Sequence, residues 1–129
     1  MRSLIILAVV FPQITWAQAN FPSKLSGRWT TVDGRGSQSI SITTSEASGI
    51  GELTVFSNAS QCSIRSAPMV MTRQGDALVV KVDPGYVNPC RKDVLVTLKK
   101  VEGTENYEGE LLQTEASGQF PVLKVKVSP

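Results

Sequence analysis

The prediction of the fold depends on a pattern that is clearest in residues 122–127, VLKVKV. In this stretch Leu123, Val125 and Val127 alternate with Lys124 and Lys126. Successive side chains of a β-strand point to opposite faces, so the alternation predicts a strand with an apolar face inward and a lysine face in water. One solvated face is typical of an antiparallel sheet.

The same period-two pattern recurs along the chain and is interrupted by turn residues at regular intervals. No stretch has the sustained spacing of three and four residues that an amphipathic helix requires. Pro68 falls inside one predicted strand, which indicates an edge strand or a bulge there. We therefore predict an all-β domain of about eight short antiparallel strands, and the pattern favours a β-barrel over a β-sandwich. The predicted strands cover residues 25–32, 37–43, 51–56, 62–71, 77–82, 94–99, 107–113 and 122–127.

The N-terminal segment has the three parts of a secretory signal peptide. Arg2 supplies a positive charge, residues 4–11 (LIILAVVF) form a short apolar run, and Ala17-Gln18-Ala19 matches a cleavage motif. The run is too short to span a bilayer, which needs about 20 residues. We predict a signal peptide over residues 1–19 and a single β-domain over residues 20–129. We also predict that the protein has no membrane span and is exported to the periplasm or the extracellular space.

The composition excludes several classes of function. The chain has 129 residues, 13 Lys plus Arg, 11 Asp plus Glu and no His. A net charge of +2 gives no large basic field for nucleic acid. The absence of His removes imidazole as a base, as the partner of a nucleophile and as a metal ligand. We therefore predict a protein that is not an enzyme, that needs no cofactor or metal and that does not bind nucleic acid.

Two groups of acidic residues could in principle form a catalytic pair or a calcium site. Glu108 and Glu110 share one face of a predicted strand at a separation of ~6.6–6.8 Å, which is compatible with a glycosidase pair. Gly109 and Leu111 occupy the opposite face, so the glutamates are predicted to face solvent. The acidic residues from Glu102 onward do not have the spacing of a recognised calcium loop. A hydrolase with a Ser–Lys pair assembled in space stays the lowest-ranked alternative.

The two cysteines both follow the predicted signal peptide. An even number of cysteines in an exported protein predicts a disulfide, here between Cys62 and Cys90. The sequence has no C-x-x-C motif, so we expect the bond to be structural rather than redox-active. It would attach the longest predicted connection, residues 83–93 (DPGYVNPCRKD), to the strand near Cys62.

Residues 83–93 are the most informative segment for function. They contain two prolines and a glycine, and they present Tyr86, Asn88, Arg91 and Lys92. A loop held rigid loses little entropy on binding, and Tyr and Arg are favoured at binding hot spots. We predict that these four residues form a recognition edge for an unidentified protein or small ligand. The alternative function is inhibition of an exported hydrolase through this loop. The loop could also have a structural role alone, as a connection that spans the end of the barrel.

The first predicted strand carries a resemblance. Leu25-Ser26-Gly27-Arg28-Trp29 resembles the L-x-G-x-W opening of the calycin group of small β-barrels, which includes lipocalins, avidins and bacterial protease inhibitors. Gly36-Ser37 resembles the pair that opens the second avidin strand. The resemblance implies a barrel with Trp29 in the core at one end. It does not imply biotin binding, because Trp29 is the only Trp after residue 19. The Arg that lipocalins place on the last strand is also missing, since residues 122–127 offer only lysines.

Overall fold

The computed structural model describes residues 20–115 and 122–129. The predicted signal peptide, residues 1–19, lies outside them. Eight antiparallel strands form a closed barrel in which each strand pairs with the next one and the last pairs with the first. The predicted all-β fold and the choice of a barrel are therefore confirmed. The strands are β1 (Lys24–Thr31), β2 (Ser37–Thr44), β3 (Ile50–Val55), β4 (Ile64–Gln74), β5 (Ala77–Val82), β6 (Arg91–Lys100), β7 (Tyr107–Glu115) and β8 (Val122–Ser128).

One turn of 3-10 helix, Ser60–Cys62, precedes β4. Within residues 20–115 and 122–129 no helix is long and apolar enough to cross a membrane.

The alternation in β8 has the predicted consequence. Leu123, Val125 and Val127 are buried, whereas Lys124 and Lys126 are exposed. Inward-facing side chains from all eight strands form one apolar cluster, and burial of each large side chain contributes roughly 1.5–3 kcal/mol. The barrel is thus held together by a core to which every strand contributes.

Trp29 belongs to this core. The side chain is buried, and its indole Nε1 donates a hydrogen bond to the carbonyl oxygen of Phe56 at 2.7 Å. Phe56 follows the last residue of β3, so this bond attaches the β3–β4 loop to the core. Trp29 therefore closes the end of the barrel at which β1 and β3 finish.

Three glycines point into the barrel, namely Gly27, Gly51 and Gly109, because their register partners are core residues. At Gly27 an added Cβ would lie 1.9 Å from the carbonyl oxygen of Lys126 on β8. The two strands approach too closely there for any side chain. The L-x-G-x-W spacing thus describes one inward face, on which Leu25 and Trp29 fill the core and Gly27 permits close contact of β1 with β8.

Two bulges interrupt the ladder. Ser66 in β4 and Asp93 in β6 have φ values of 48° and 52°, and the register shifts beside each of them. Bulges bend a strand and redirect its side chains. Pro68 lies two residues after Ser66 and is opposite Glu52 of β3. The closed barrel makes β4 an interior strand, so the bulge rather than an edge accompanies this proline.

Seven of the eight strands differ from the predicted bounds by at least one residue, and the differences are largest, at three residues, in β4 and β6. β4 runs from Ile64 to Gln74 rather than over 62–71, and β6 begins at Arg91 rather than at Val94. The β6 bulge explains the later predicted start, because it places Arg91 and Val94 on the same buried side although they are separated by an odd number of positions. Residues 91–93 thus belong to a strand, and the loop itself covers residues 83–90.

Candidate functional site

The disulfide joins two loops at the barrel end that Trp29 closes. Cys62 of the β3–β4 loop is bonded to Cys90 of the β5–β6 loop, and their Cα atoms are 5.2 Å apart. The predicted pairing is therefore confirmed. Residues 83–90, which we call the stapled loop, are held by this bond at their C-terminal end.

The stapled loop occupies a place where the barrel wall is not made of strand. β5 pairs with β6 only as far as Lys81 opposite Leu95, and Val82 is its last residue. The backbone N–H of Asp83 still donates to Pro68 O at 2.8 Å. Residues 64–67 of β4 and 91–94 of β6 continue beyond this point with no β5 residue between them. We call this section the wall gap.

Two side chains of the stapled loop bridge the wall gap. The Tyr86 hydroxyl oxygen accepts a hydrogen bond from the Arg65 N–H at 3.2 Å. Asn88 connects both sides, because its Nδ2 donates to Ser63 O at 2.9 Å and its Oδ1 accepts from the N–H groups of Cys90 and Arg91 at 2.9 and 3.1 Å. Asn88 is only 8% exposed. Its amide thus takes the place of a peptide unit of the missing β5 segment.

The buried side chain of Arg91 makes further hydrogen bonds beside the wall gap. Its side chain is 8% exposed, and the guanidinium donates through Nε to Cys62 O at 3.2 Å and through Nη2 to Ser57 Oγ at 2.6 Å. Its Nη1 donates to Gln113 Oε1 on β7. One charged group therefore links the β3–β4 loop, the start of β6 and β7, and hydrogen bonds to charged groups are the stronger ones in proteins.

Replacing Asn88 by alanine tests the bridging role. Asn88→Ala leaves the Ser63 carbonyl and the N–H groups of Cys90 and Arg91 without the amide partner, and we expect a loss of about 2 kcal/mol in unfolding free energy. Urea denaturation gives this value. Asn58→Ala is the matched control, because Asn58 is exposed and, in the part of the chain that the structure describes, its side chain accepts one hydrogen bond from Gln38 Nε2. Its loss of unfolding free energy should stay within about 0.5 kcal/mol. Equal losses in the two variants would contradict the bridging role.

A groove with a volume of about 1010 Å³ lies on the side of the barrel against the stapled loop. Its floor is the outer face of β4, β5 and β6, and its upper end is the wall gap, where the core residues Ile64, Val82 and Val94 also line it. We call it the side groove. The apolar floor residues are Val70, Ala77, Val79 and Leu95, the neutral polar ones are Thr72, Gln74 and Thr97, and Lys81 is charged.

The four residues predicted to form a recognition edge all line the side groove, but they are placed differently. Tyr86 is half-buried and packs against the core, Asn88 and Arg91 are buried, and Lys92 is exposed. The first three hold the stapled loop in position. Val87 is a large apolar residue of the same loop and is 87% exposed.

The apolar floor of the side groove was not predicted from the sequence. The sequence nevertheless indicates it, because Val79 and Leu95 are apolar residues at outward positions of strands whose inward face is already apolar. On β8, across the barrel, the two exposed outward residues are Lys124 and Lys126. Apolar residues at outward positions thus indicate an apolar surface on this side of the barrel, although Leu112 of β7 has the same feature and does not line the groove.

The acidic residues that could have formed a catalytic pair or a calcium site do not line the side groove. Glu108 and Glu110 are exposed on β7, with Glu108 opposite Lys99 and Lys126 and Glu110 opposite Lys124. Glu102 and Glu105 are exposed in the β6–β7 loop, where Glu105 forms an ion pair with Lys100 at 2.8 Å. Among the residues that the structure describes, no group of three or more His, Cys, Asp and Glu side chains could hold a metal ion.

The β1–β2 turn lies at the same barrel end as the disulfide. Asp33 Oδ1 accepts two hydrogen bonds, from the hydroxyl of Thr31 at 2.6 Å and from the N–H of Arg35 at 3.0 Å. These bonds hold the pKa of Asp33 below its usual range. A lowered carboxyl pKa stabilises the fold at neutral pH, and this contribution is lost as the pH falls through the folded-state pKa. The turn should therefore be weakened at acid pH, as Asp33 is protonated.

Comparisons of the chain with protein-family models, curated proteins and solved structures found no match. Nothing in them links this barrel to the calycin group.

Proposed function

We propose that this protein is an exported, non-catalytic domain that binds an apolar partner in the side groove. The observation that carries the proposal is the groove itself, since its volume of about 1010 Å³ is of the size that proteins use for ligands. Its floor has apolar side chains on an outer strand face, where polar residues are the rule for an antiparallel barrel.

Rigidity of the groove wall supports a binding role. The stapled loop is held by the Cys62–Cys90 bond, by the Asn88 amide and by the Arg91 guanidinium. A wall that is already ordered loses little conformational entropy when a ligand binds, so more of the contact energy appears as affinity. The two bulges that flank the wall gap, at Ser66 and Asp93, are of the kind found beside binding and active sites.

The absence of catalysis and the exported location are parts of the same proposal. The chain has no His, and Glu108 and Glu110 face lysines across the strands rather than lining the side groove. The disulfide is of the kind that persists in oxidising compartments such as the periplasm and the extracellular space.

Binding of the neutral apolar dye Nile red tests the groove. We expect saturable binding by the purified protein, weakened about tenfold in Leu95→Ser, because one buried leucine contributes roughly 1.5–3 kcal/mol. Leu112→Ser is the matched control, since Leu112 lies opposite Leu95 on β7, faces outward and does not line the groove. Its affinity should stay within about twofold. No saturable binding, or the same loss in both variants, would overturn the proposal.

One observation favours a second function, inhibition of an exported hydrolase. Val87 is 87% exposed on a loop that is fixed by a disulfide and contains Pro84 and Pro89. A rigid loop with a projecting apolar residue is suited to insertion into another protein's cleft. The test is whether the protein slows an exported protease and whether Val87→Asp abolishes that effect while Nile red binding is retained.

A further inference from the structure

Lys81 has unusual neighbours for an outward-facing lysine. On the barrel surface it lies directly between Val70 of β4 and Leu95 of β6. The next outward residue along β5 is Val79, which lies between Thr72 and Thr97. Lys81 is thus a charged residue on the floor of the side groove with an apolar side chain on either side of it.

The ammonium group of Lys81 has no carboxylate within 4.0 Å in residues 20–115 and 122–129, where the ion pairs are Lys99–Asp76 and Lys100–Glu105. A lysine that keeps its water needs no such partner. A ligand that covers Val70, Val79 and Leu95 would displace part of this water, and an uncompensated charge in an apolar contact is unfavourable.

The other charges of the side groove lie at its upper end. Asp83 begins the stapled loop and accepts a hydrogen bond from the Gly85 N–H through Oδ1. Lys92 and Asp93 are adjacent and opposite in charge, and Arg91 donates to Ser57, Cys62 and Gln113. From Lys81 down to the β4–β5 turn, the lining residues that the structure describes include no other charged side chain.

We propose that the side groove binds an amphipathic monoanion, with its anionic head at Lys81 and its apolar chain along β5 toward Ala77. The distance from residue 81 to residue 77 along a strand is roughly 13 Å, and Val79 lies at its centre. The anion compensates the charge of Lys81 while the chain covers the apolar floor. A neutral amphiphile leaves the ammonium without a partner and a cationic one repels it, so the same lysine selects against both.

This inference rests on the proposed function of the groove, and its test uses four amphiphiles of equal chain length. Decanoate, decyl sulfate, decanol and decyltrimethylammonium compete with Nile red for the purified protein below their micellar concentrations. We expect at least one of the two anions to bind about tenfold more tightly than decanol, and the cation to bind more weakly than decanol.

Lys81→Gln should abolish this discrimination by weakening the anion about tenfold while decanol binds as before. Lys126→Gln is the matched control, because Lys126 is an exposed outward lysine on β8 away from the groove. It should leave the discrimination unchanged. Lys81 is exposed, and near-ultraviolet circular dichroism checks that the variant is folded.

The outcomes separate the two proposals. Equal binding of anions and decanol by the native protein, or the same loss of anion binding in Lys81→Gln and Lys126→Gln, overturns the choice of an anion and leaves the groove as an apolar binding site. If the native protein binds neither Nile red nor any of the four amphiphiles, the proposed function fails as well.

Discussion

Gly27→Ala is expected to destabilise the protein by at least roughly 3 kcal/mol, at the upper end of what overpacking of a core costs. The new Cβ would lie 1.9 Å from the carbonyl oxygen of Lys126 and 2.9 Å from the Cα of Val127. These are backbone atoms of β8, so no side-chain rotation removes the overlap. Relief requires β1 and β8 to separate at the pair that closes the barrel.

Thermal unfolding measures this effect, and the melting temperature should fall by roughly 10 °C or more. Gly85→Ala is the matched control. At Gly85 the nearest atom to an added Cβ is Asp83 Oδ1 at 3.4 Å, an ordinary contact. There the same substitution should be neutral, or stabilising by about 0.4–1 kcal/mol through a less flexible unfolded chain. A Gly27→Ala protein as stable as Gly85→Ala would contradict the close approach of the two strands.

The double variant Cys62→Ser, Cys90→Ser is expected to lose roughly 3.5 kcal/mol of unfolding free energy. The two cysteines are 28 positions apart, and the bond restricts the unfolded chain over the whole of that span. The acceptors of Asn88 and Arg91 beside the bond are backbone carbonyls of Cys62 and Ser63, which the substitutions leave in place. The main loss therefore comes from the unfolded state.

Urea denaturation of the oxidised protein, the reduced protein and the variant tests this account. The variant and the reduced protein should agree in stability, and both should show a larger m-value than the oxidised protein, because an unlinked chain exposes more surface on unfolding. A loss below about 1 kcal/mol would indicate that the bond does not restrict the unfolded chain as this model requires.

The strands could be predicted from the sequence because a barrel with an apolar core imposes period two on every strand. The prediction is poorest where a bulge breaks that period. At Asp93 two consecutive residues oppose one on β7, so alternation read backwards from Val94 ends too early. The bulge at Ser66 also breaks the alternation in β4, because Ile64 and Ala67 both face inward, but the predicted strand there begins two residues early rather than late.

The candidate site could be predicted only in part, because its location follows from the disulfide but its accessible surface does not. Asn88 and Arg91 are residue types that serve equally well in recognition and in anchoring. Which role they take depends on partners such as Ser57 and Gln113, which are distant in the sequence. β5 ends at Val82, as its local pattern predicts, but the side groove also requires β4 and β6 to continue past that point, and this depends on pairing with β3 and β7.

The wall gap also bears on how the protein avoids association with itself. A closed barrel has no free strand edges, and free edges are where β-proteins pair with one another and aggregate. Residues 64–67 and 91–94 are edges covered only by the side chains and the backbone of the stapled loop. If the loop is released, both edges become available to a neighbouring molecule. We therefore expect the disulfide to protect this section of the wall from edge-to-edge aggregation.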